Sequence, residues 1–490
     1  MAKQWSCWLF VVVAGLCGCG PATTPELQLI HDAADAIGGV EAVRGAANVT
    51  MEGSGTTYQL GQNNRPDSEP PSAEAQSYRF AIDLENHRSR LGIASPNFAG
   101  DMVTTVTSTD GDVVYTVGRD GPRRTGGEAA GARRVLYYHH PLALLRAALA
   151  EDVSMAAIVS DLRQEMGHDV VDITTADGVR LTLHVDLENR LPQSISSTGY
   201  NSTLGDIVTT TTFSVYRGGG GFRLPQGIAR TVDGVPNLDL RVTQTVNGEI
   251  RDLAAPGSVA SAIEPEPPPA NVAVEELADG VWLLGGQSHH SVLVEFDEYT
   301  TLVEVPQHDR RTIAVIAQAR ELVPDKPLRY AVNTHHHFDH SGGVRAAIAE
   351  GLTVITHATN RSMFEDLAAR AHTIVADHLA QNPATLMLET VEGDEMYELS
   401  DGDRTLQLYR VGDNPHCDAM LVAYLPSERL LVQADMYIPG IGGPFAATAA
   451  ALLESVRERE LNVRSIVPIH GAVAPLSELE EAVKAQAAGD

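Results

Sequence analysis

The run THHHFDHSGG at positions 334–343 constrains this chain more than any other feature. It directly follows a short apolar segment that predicts a buried strand. In an extended segment alternate side chains share one side, so His335 and His337 should face the same way. Asp339 and His340 come where the following glycines open a helix, and that turn can aim them at a second point. One short loop could thus supply ligands to two metals.

Three more metal-binding side chains, His416, Asp435 and His470, follow downstream in similar contexts. His416 lies in a turn between two apolar, strand-like runs, and Asp435 and His470 each end such a run. Layered α/β proteins gather loops and ligands at the carboxyl ends of strands. Histidine clusters also occur as solvated surface tracts, but these matching contexts disfavour that interpretation.

Together these residues resemble the ligand set of the metallo-β-lactamase-fold hydrolase superfamily, over roughly residues 271–486. The resemblance implies an αββα sandwich with two metals. It assigns the first metal to His335, His337 and His416, the second to Asp339, His340 and His470, and a bridging position to Asp435. A bridging aspartate is similar to the glyoxalase II, lactonase and phosphodiesterase branches. Mixed imidazole and carboxylate donors suit zinc first, with iron or manganese as alternatives.

Two divalent metal ions can hold a hydroxide between them and polarise the carbonyl that it attacks. We therefore expect a hydrolase of ester, lactone, thioester or amide bonds. Asp339 is the predicted catalytic carboxylate, since it could orient the hydroxide or protonate a leaving group. Tyr437 could donate a hydrogen bond to a developing oxyanion, or simply pack at the rim. Glu304 stands where many relatives carry an aspartate that orients a ligand loop, and the longer side chain could do the same.

The substrate predicted by the surrounding sequence is a neutral or partly hydrophobic small molecule. True β-lactamases and glutathione-thioester hydrolases commonly bind an anionic group with a lysine or arginine near the bridging ligand. Here Asp435 is followed by an aromatic and apolar segment, with no cation until Arg457. Such a rim favours an uncharged substrate. His289 and His290, in a glycine-rich loop, could line the mouth of the site.

Other functions remain open at this stage. One alternative enzyme is a mononuclear iron oxidoreductase similar to persulfide dioxygenases, although the complete set of donors argues against it. The other alternative is a non-catalytic envelope lipoprotein or lipid-binding module. A formal net charge of −29 argues against nucleic acid as a partner, because binding a phosphate backbone needs a positive field.

The first 18 residues predict a lipoprotein signal peptide. Lys3 supplies a positive end, and the apolar stretch after it is too short to span a bilayer as a mature helix. The segment Leu16–Cys19 resembles a bacterial lipobox, which implies cleavage before Cys19 and lipidation of its thiol. An ordinary cleaved signal is the alternative. We expect a protein of the cell envelope, anchored in the membrane through Cys19, at the outer membrane and facing the periplasm.

The remaining chain predicts two domains of the α+β class. Residues 19–26 are expected to be a tether. In residues 27–253 a helix precedes many short β-rich runs, which predicts an antiparallel sheet that faintly resembles lipoprotein-carrier proteins. We favour a scaffold over a hydrophobic-ligand cradle for this domain, and a mobile loop at 61–76. Residues 254–270 form a proline-rich linker before the hydrolase domain at 271–490.

Overall fold

The computed structural model describes residues 24–97, 100–150, 157–266, 270–441 and 445–487. The predicted signal peptide and Cys19 lie outside these ranges. Among the described residues, no helix combines the length and the apolar character needed to cross a bilayer. The chain builds an N-terminal domain around one sheet and a C-terminal domain around two.

The N-terminal domain is built on a 13-stranded antiparallel sheet in which the first and last strands are neighbours. The next five strands follow outward from the first in chain order, and the remaining strands follow outward from the last in reverse order. The strands are β1 (Asn48–Tyr58), β2 (Ser72–Asp83), β3 (Arg88–Pro96), β4 (Met102–Asp110), β5 (Val113–Gly118), β6 (Gly121–Thr125), β7 (Ile158–Glu165), β8 (His168–Thr174), β9 (Arg180–Asp186), β10 (Pro192–Asn201), β11 (Gly205–Gly219), β12 (Phe222–Val232) and β13 (Val235–Val246). The helices are α1 (Pro25–Ile37), α2 (Val40–Arg44), α3 (Gly127–Tyr138), α4 (Pro141–Ala148) and α5 (Gly257–Ala260).

Helix α1 starts where local chemistry favours a start. The Thr24 side chain accepts a hydrogen bond from the Leu27 amide, and a proline occupies the first turn. Its apolar face, including Ile30, packs with Leu144 of α4 against the sheet. The helix begins within the predicted tether at 19–26, so ordered structure starts earlier than the sequence suggested.

The C-terminal domain contains a seven-stranded sheet, ordered β14 to β20, and a six-stranded sheet, ordered β21 to β26. Its strands are β14 (Ala273–Ala278), β15 (Val281–Gly285), β16 (Ser291–Glu295), β17 (Thr300–Val303), β18 (Leu328–Val332), β19 (Thr353–His357), β20 (Met387–Val391), β21 (Tyr397–Asp401), β22 (Arg404–Arg410), β23 (Leu421–Leu425), β24 (Leu430–Gln433), β25 (Ser465–Pro468) and β26 (Ala474–Pro475). Its helices are α6 (Asp309–Leu322), α7 (Phe338–Ser341), α8 (Val344–Ala349), α9 (Arg361–Ala369), α10 (His378–Gln381), α11 (Ala446–Glu458) and α12 (Leu476–Ala487), with a short 3-10 helix at Ala358–Asn360.

Three hydrophobic clusters define four layers in this domain. One lies between the two sheets and joins residues such as Val292 and Val432. A second packs α6 and α8 on the outer face of the first sheet, and a third packs α11 and α12 on the second sheet. This is the predicted αββα arrangement. Two of the parallel strand pairs, β17 with β18 and β24 with β25, carry site residues just beyond their carboxyl ends.

Apolar spacing over residues 361–379 would suit one helix, but the structure has two, α9 and α10. The guanidinium of Arg345 donates hydrogen bonds to the carbonyls of Leu367, Ala368 and Arg370. Those carbonyls are satisfied by a side chain, so the helix ends there and Arg370 is extended. Helix α11, which the sequence analysis did not predict, covers the second sheet, and α5 lies within the predicted linker.

Candidate metal centre

Two residues at the site adopt a left-handed backbone. Glu304 follows β17 with φ of 77°, and Asp435 follows β24 with φ of 57°. Non-glycine residues rarely occupy this region, and they persist where the surrounding structure holds them. The unusual turn follows a buried strand in each case, and both carboxylates are buried.

The carboxylate of Asp435 lies close to four histidine nitrogens of the centre. Its Oδ2 lies 3.1 Å from His340 Nε2, 3.2 Å from His416 Nε2 and 3.6 Å from His335 Nε2. Its Oδ1 lies 2.9 Å from His470 Nε2. The four histidines come from three separate stretches of chain, the 334–343 run and the segments around His416 and His470, as the sequence predicted.

The first group of donors comprises His335, His337, His416 and Asp435, whose ligand atoms all lie within 4.8 Å of one another. Nε2 of His335, Nδ1 of His337 and Nε2 of His416 are buried and have no hydrogen-bond partner among the described residues. The approach of His416 to Asp435 therefore lacks hydrogen-bond geometry. Unpartnered buried nitrogens are costly, and a cation bound among them would satisfy all three. The residues fit a metal.

The second group comprises His289, Asp339, His340 and His470, again with ligand atoms within 4.8 Å of one another. Nε2 of His340 and Nε2 of His470 are 3.3 Å apart. Two such nitrogens facing each other at this distance suit a shared cation. The predicted second-metal donors therefore come together, with His289 added to them.

A second set of groups fixes the orientation of these rings. Glu304 is fully buried, and its Oε2 accepts hydrogen bonds from His340 Nδ1 at 3.1 Å and from the Thr334 hydroxyl at 2.6 Å. His470 Nδ1 donates to the carbonyl of Ser288 at 2.8 Å. These bonds place the proton on Nδ1 and leave Nε2 for the centre. Glu304 thus orients the ring of His340 and the hydroxyl of Thr334.

The ionisable groups at the centre shift one another's pKa. Burial lowers the pKa of His340, but the carboxylates of Asp435 and Glu304 outweigh burial and raise it well above its usual value. Burial also opposes the charge of Asp435, yet His340 lowers the pKa of that carboxyl well below its ordinary range. Burial lowers the pKa of His335 well below its usual value. A metal-free centre therefore keeps a proton on His340 as the counter-charge to two carboxylates.

Asp339 is held on both of its oxygens. Oδ2 lies 3.3 Å from His289 Nε2, and Oδ1 accepts a hydrogen bond from Gln62 Nε2 at 3.0 Å. Burial alone would raise the pKa of Asp339, but the hydrogen bond from His289 and the charge of His340 lower it. An ionised Asp339 is suited to hold a metal or orient a nucleophile rather than to donate a proton.

The predicted oxyanion role of Tyr437 is not supported by its position. The side chain is 3% exposed and packs in the cluster beneath α11 and α12. Its hydroxyl donates a hydrogen bond to Glu478 Oε1 at 3.1 Å, and burial together with that carboxylate raises the pKa of Tyr437 to about 12. The alternative of a packing residue fits this environment. Its position two residues after Asp435 was too weak a signal to predict the direction of the side chain.

The two histidines expected at the mouth have different roles. His289 is buried, and its ring centroid lies 4.1 Å from that of His470. Its Nδ1 is 2.9 Å from the Ser288 hydroxyl. His290 turns away, with Nε2 donating to the Gly471 carbonyl at 3.1 Å. Because side chains alternate along the segment before β16, the sequence could have predicted that His289 and His290 point to opposite sides. It could not have shown which of the two faces the centre.

Comparison with known families agrees with the geometry. The family model described as the metallo-beta-lactamase superfamily matches residues 284–464. This part of the chain is a metallo-beta-lactamase superfamily domain. The match includes every residue of the first donor group, whereas His470 lies beyond it and is placed by geometry alone.

Solved structures similar to the chain include metallo-beta-lactamases from three bacteria. One from Pontibacter korlensis has 19% identity and a TM-score of 0.34, and covers 44% of this chain and 98% of its own. One from Hirschia baltica has 20% identity and a TM-score of 0.33, covering 44% and 96%. FIM-1 from Pseudomonas aeruginosa, solved in a mono-zinc form, has 23% identity and a TM-score of 0.34, covering 44% and 96%. No curated protein matches the chain.

Proposed function

We propose that this protein is a dinuclear metal-dependent hydrolase of an ester, lactone, thioester or amide carbonyl, with zinc as the first choice of metal. The observation that carries the proposal is that all seven sequence-predicted donors come together, with four of the histidines within 3.6 Å of the Asp435 carboxylate. They divide into two groups whose donor atoms lie within 4.8 Å of one another. Imidazole nitrogen with carboxylate oxygen is a donor set that zinc prefers.

Two bound divalent ions would lower the pKa of a shared water and polarise the carbonyl oxygen under attack. The chain's own contribution is orientation. Asp435 bridges the groups, and Glu304 and the Ser288 carbonyl hold the rings of His340 and His470 with Nε2 toward the centre. Asp339, ionised and held from two sides, would accept a hydrogen bond from the attacking water and align it.

The surroundings of the centre support a neutral or partly hydrophobic substrate. The segment after Asp435 is apolar, and Ile438 lies close to Gly471, the neighbour of His470. Ile441, further along this segment, is 51% exposed. Arg65 contributes a cation nearby but is already paired with Asp418 at 3.0 Å and with Asp67 at 3.2 Å. An anionic substrate would have to compete with both carboxylates for that arginine.

For the N-terminal domain we propose a scaffold role rather than a lipid cradle. Helices α1 and α4 fill one face of the large sheet with side chains such as Ile30 and Leu144, both fully buried. A carrier would need that face to open.

We also propose that Cys19 anchors the protein in the bacterial envelope. Labelling with a radioactive fatty acid should mark the wild type and not a Cys19→Ser variant.

The hydrolase proposal is tested by metal analysis followed by a substrate panel. Purified protein should carry zinc or a related divalent metal, and it should hydrolyse at least one of an aryl ester, a lactone, a thioester or an anilide. Chelator should abolish the turnover and zinc should restore it. Stoichiometric iron with oxygen consumption, and no hydrolysis, would instead favour the oxidoreductase and contradict the proposal.

A further inference from the structure

A loop of the N-terminal domain reaches the metal centre. This capping loop, Gln59–Pro71, connects β1 to β2. The sequence predicted a mobile segment at 61–76. In the structure the loop instead packs on the metallo-beta-lactamase domain, and β2 already starts at Ser72. It touches residues of both donor groups.

At the first group, the capping loop fixes a ligand ring. His337 Nε2 donates a hydrogen bond to the Asn63 carbonyl at 2.9 Å. The proton is therefore on Nε2, and Nδ1, which is buried and unpartnered among the described residues, is free for a metal. Partners of this kind fix the tautomer of a metal-binding histidine and raise its basicity. Here the partner comes from the other domain, 274 positions away in sequence.

At the second group, the same loop holds the catalytic carboxylate. Gln62 Nε2 donates to Asp339 Oδ1 at 3.0 Å, opposite the contact of His289 with Oδ2. Asp339 remains 40% exposed on its side chain, so these contacts, rather than close packing, restrict its rotation.

The capping loop packs closely against the turn that carries Asp339 and His340. The Phe338 amide donates to the Gly61 carbonyl at 3.2 Å, and the Asp418 amide donates to the Asn64 carbonyl at 3.0 Å. Gly61 has φ of 77°, and a Cβ added there would lie 2.3 Å from the Phe338 ring. A glycine is therefore needed for the loop to approach this closely.

A second contact holds the two domains together away from the centre. Asp206, at the start of β11, accepts hydrogen bonds from the amides of Thr373 and Ile374, each at 3.0 Å. Arg370 donates to the Asp206 carbonyl at 3.0 Å and to the Asp233 carboxylate at 2.5 Å. With contacts at two places, the N-terminal domain sets the position of the capping loop over the two donor groups.

We propose that the N-terminal domain is a working part of the metal centre, because its capping loop positions His337 for the first metal and Asp339 for the second. The proposal rests on the metal binding proposed above, and it extends the centre to a second domain. Gln62 and Asn63 are positioning residues, since they act through the ligands. Metal affinity then depends on residues more than 400 positions before the last ligand, His470.

The test uses full-length protein and two loop variants. Gly61→Ala should displace the whole loop, and Gln62→Ala should remove one hydrogen bond to Asp339. Zinc dissociation constants are measured by competition with a chelator, and coordination geometry by the visible spectrum of the cobalt-substituted protein. We expect Gly61→Ala to weaken zinc binding about 10–100-fold, as loss of such outer partners does elsewhere, and to change the cobalt spectrum. Gln62→Ala should weaken only the second equivalent.

Glu69→Ala is the matched control, because Glu69 is an exposed residue of the same loop. It should bind zinc and cobalt as the wild type does. Wild-type affinity and spectra in both Gly61→Ala and Gln62→Ala would overturn the proposal, whether or not turnover changes. If the wild type binds metal but hydrolyses nothing, the hydrolase proposal fails while these affinities still decide the role of the loop. A wild type that binds no metal would overturn both.

Discussion

Replacing Glu304 with alanine should weaken metal binding, although Glu304 lies outside both donor groups. This carboxylate is fully buried and accepts hydrogen bonds from His340 at 3.1 Å, Thr334 at 2.6 Å and Asn333 at 3.3 Å. Removing it frees the ring of His340 to rotate away from the centre. Outer partners of this kind are worth about 10–100-fold in metal affinity, or about 1.4–2.7 kcal/mol.

The same variant should also destabilise the metal-free protein. Removing one partner of a buried charged pair costs about 3–5 kcal/mol, because the other charge stays buried. The pKa of His340 is raised in the folded state, so its contribution is present in full below the ordinary histidine pKa. It is lost as pH rises through the raised value. The gap in unfolding free energy between wild type and Glu304→Ala should therefore shrink as pH increases.

Urea unfolding with chelator present measures the stability, and chelator competition measures the zinc affinity. Glu428→Ala is the control, since Glu428 is also largely buried and pairs with Arg404 at 3.1 Å, but at the opposite end of β24 from Asp435. It should lower stability and leave zinc affinity unchanged. An affinity within twofold of wild type in Glu304→Ala would refute the orienting role.

Three further predictions concern the centre and its neighbours. Asp339→Asn should abolish most turnover while part of the metal stays bound, and full activity in that variant would rule out the assignment. Tyr437→Phe should keep normal turnover and lose only modest stability, since its hydroxyl contacts Glu478 and not the centre; a large fall in kcat with unchanged folding would restore the oxyanion role. Because a metal must displace the proton on His340, zinc affinity should rise with pH. Calorimetry in buffers of different ionisation enthalpy should detect the released proton, and no buffer dependence would contradict the charge assignment.

The metal centre was largely predictable from the sequence because each donor follows a recognisable strand. His335 and His337 alternate along an extended segment, while Asp435 and His470 end apolar runs. Parallel neighbours bring their carboxyl ends to one edge, which places Asp435 and His470 together after β24 and β25. Their meeting with His335, which follows a strand of the other sheet, depends on how the two sheets pack. The layers of the C-terminal domain follow from the same patterns of burial.

Contacts between distant segments were not predictable. Gln62 and Asn63 lie in a polar, proline-bearing stretch that local patterns describe only as a loop. Nothing in that stretch shows which surface it will meet, because the contact depends on how two domains dock. The break between α9 and α10 has the same origin, since Arg345 ends the helix from outside it. The orientation of Tyr437 depends on packing beneath α11. The buried face of that helix, with Ala449, Leu452, Leu453 and Val456, does have helical spacing, but the spacing does not show where the helix will pack.

We expect seven side chains, one of them the shared Asp435, to form a site for two metals. Elemental analysis of full-length protein loaded with zinc and freed of excess metal tests it most directly. The wild type should bind two equivalents of zinc per chain, and Asp435→Ala should bind one or fewer. One equivalent or none in the wild type, or two equivalents retained by Asp435→Ala, would contradict it.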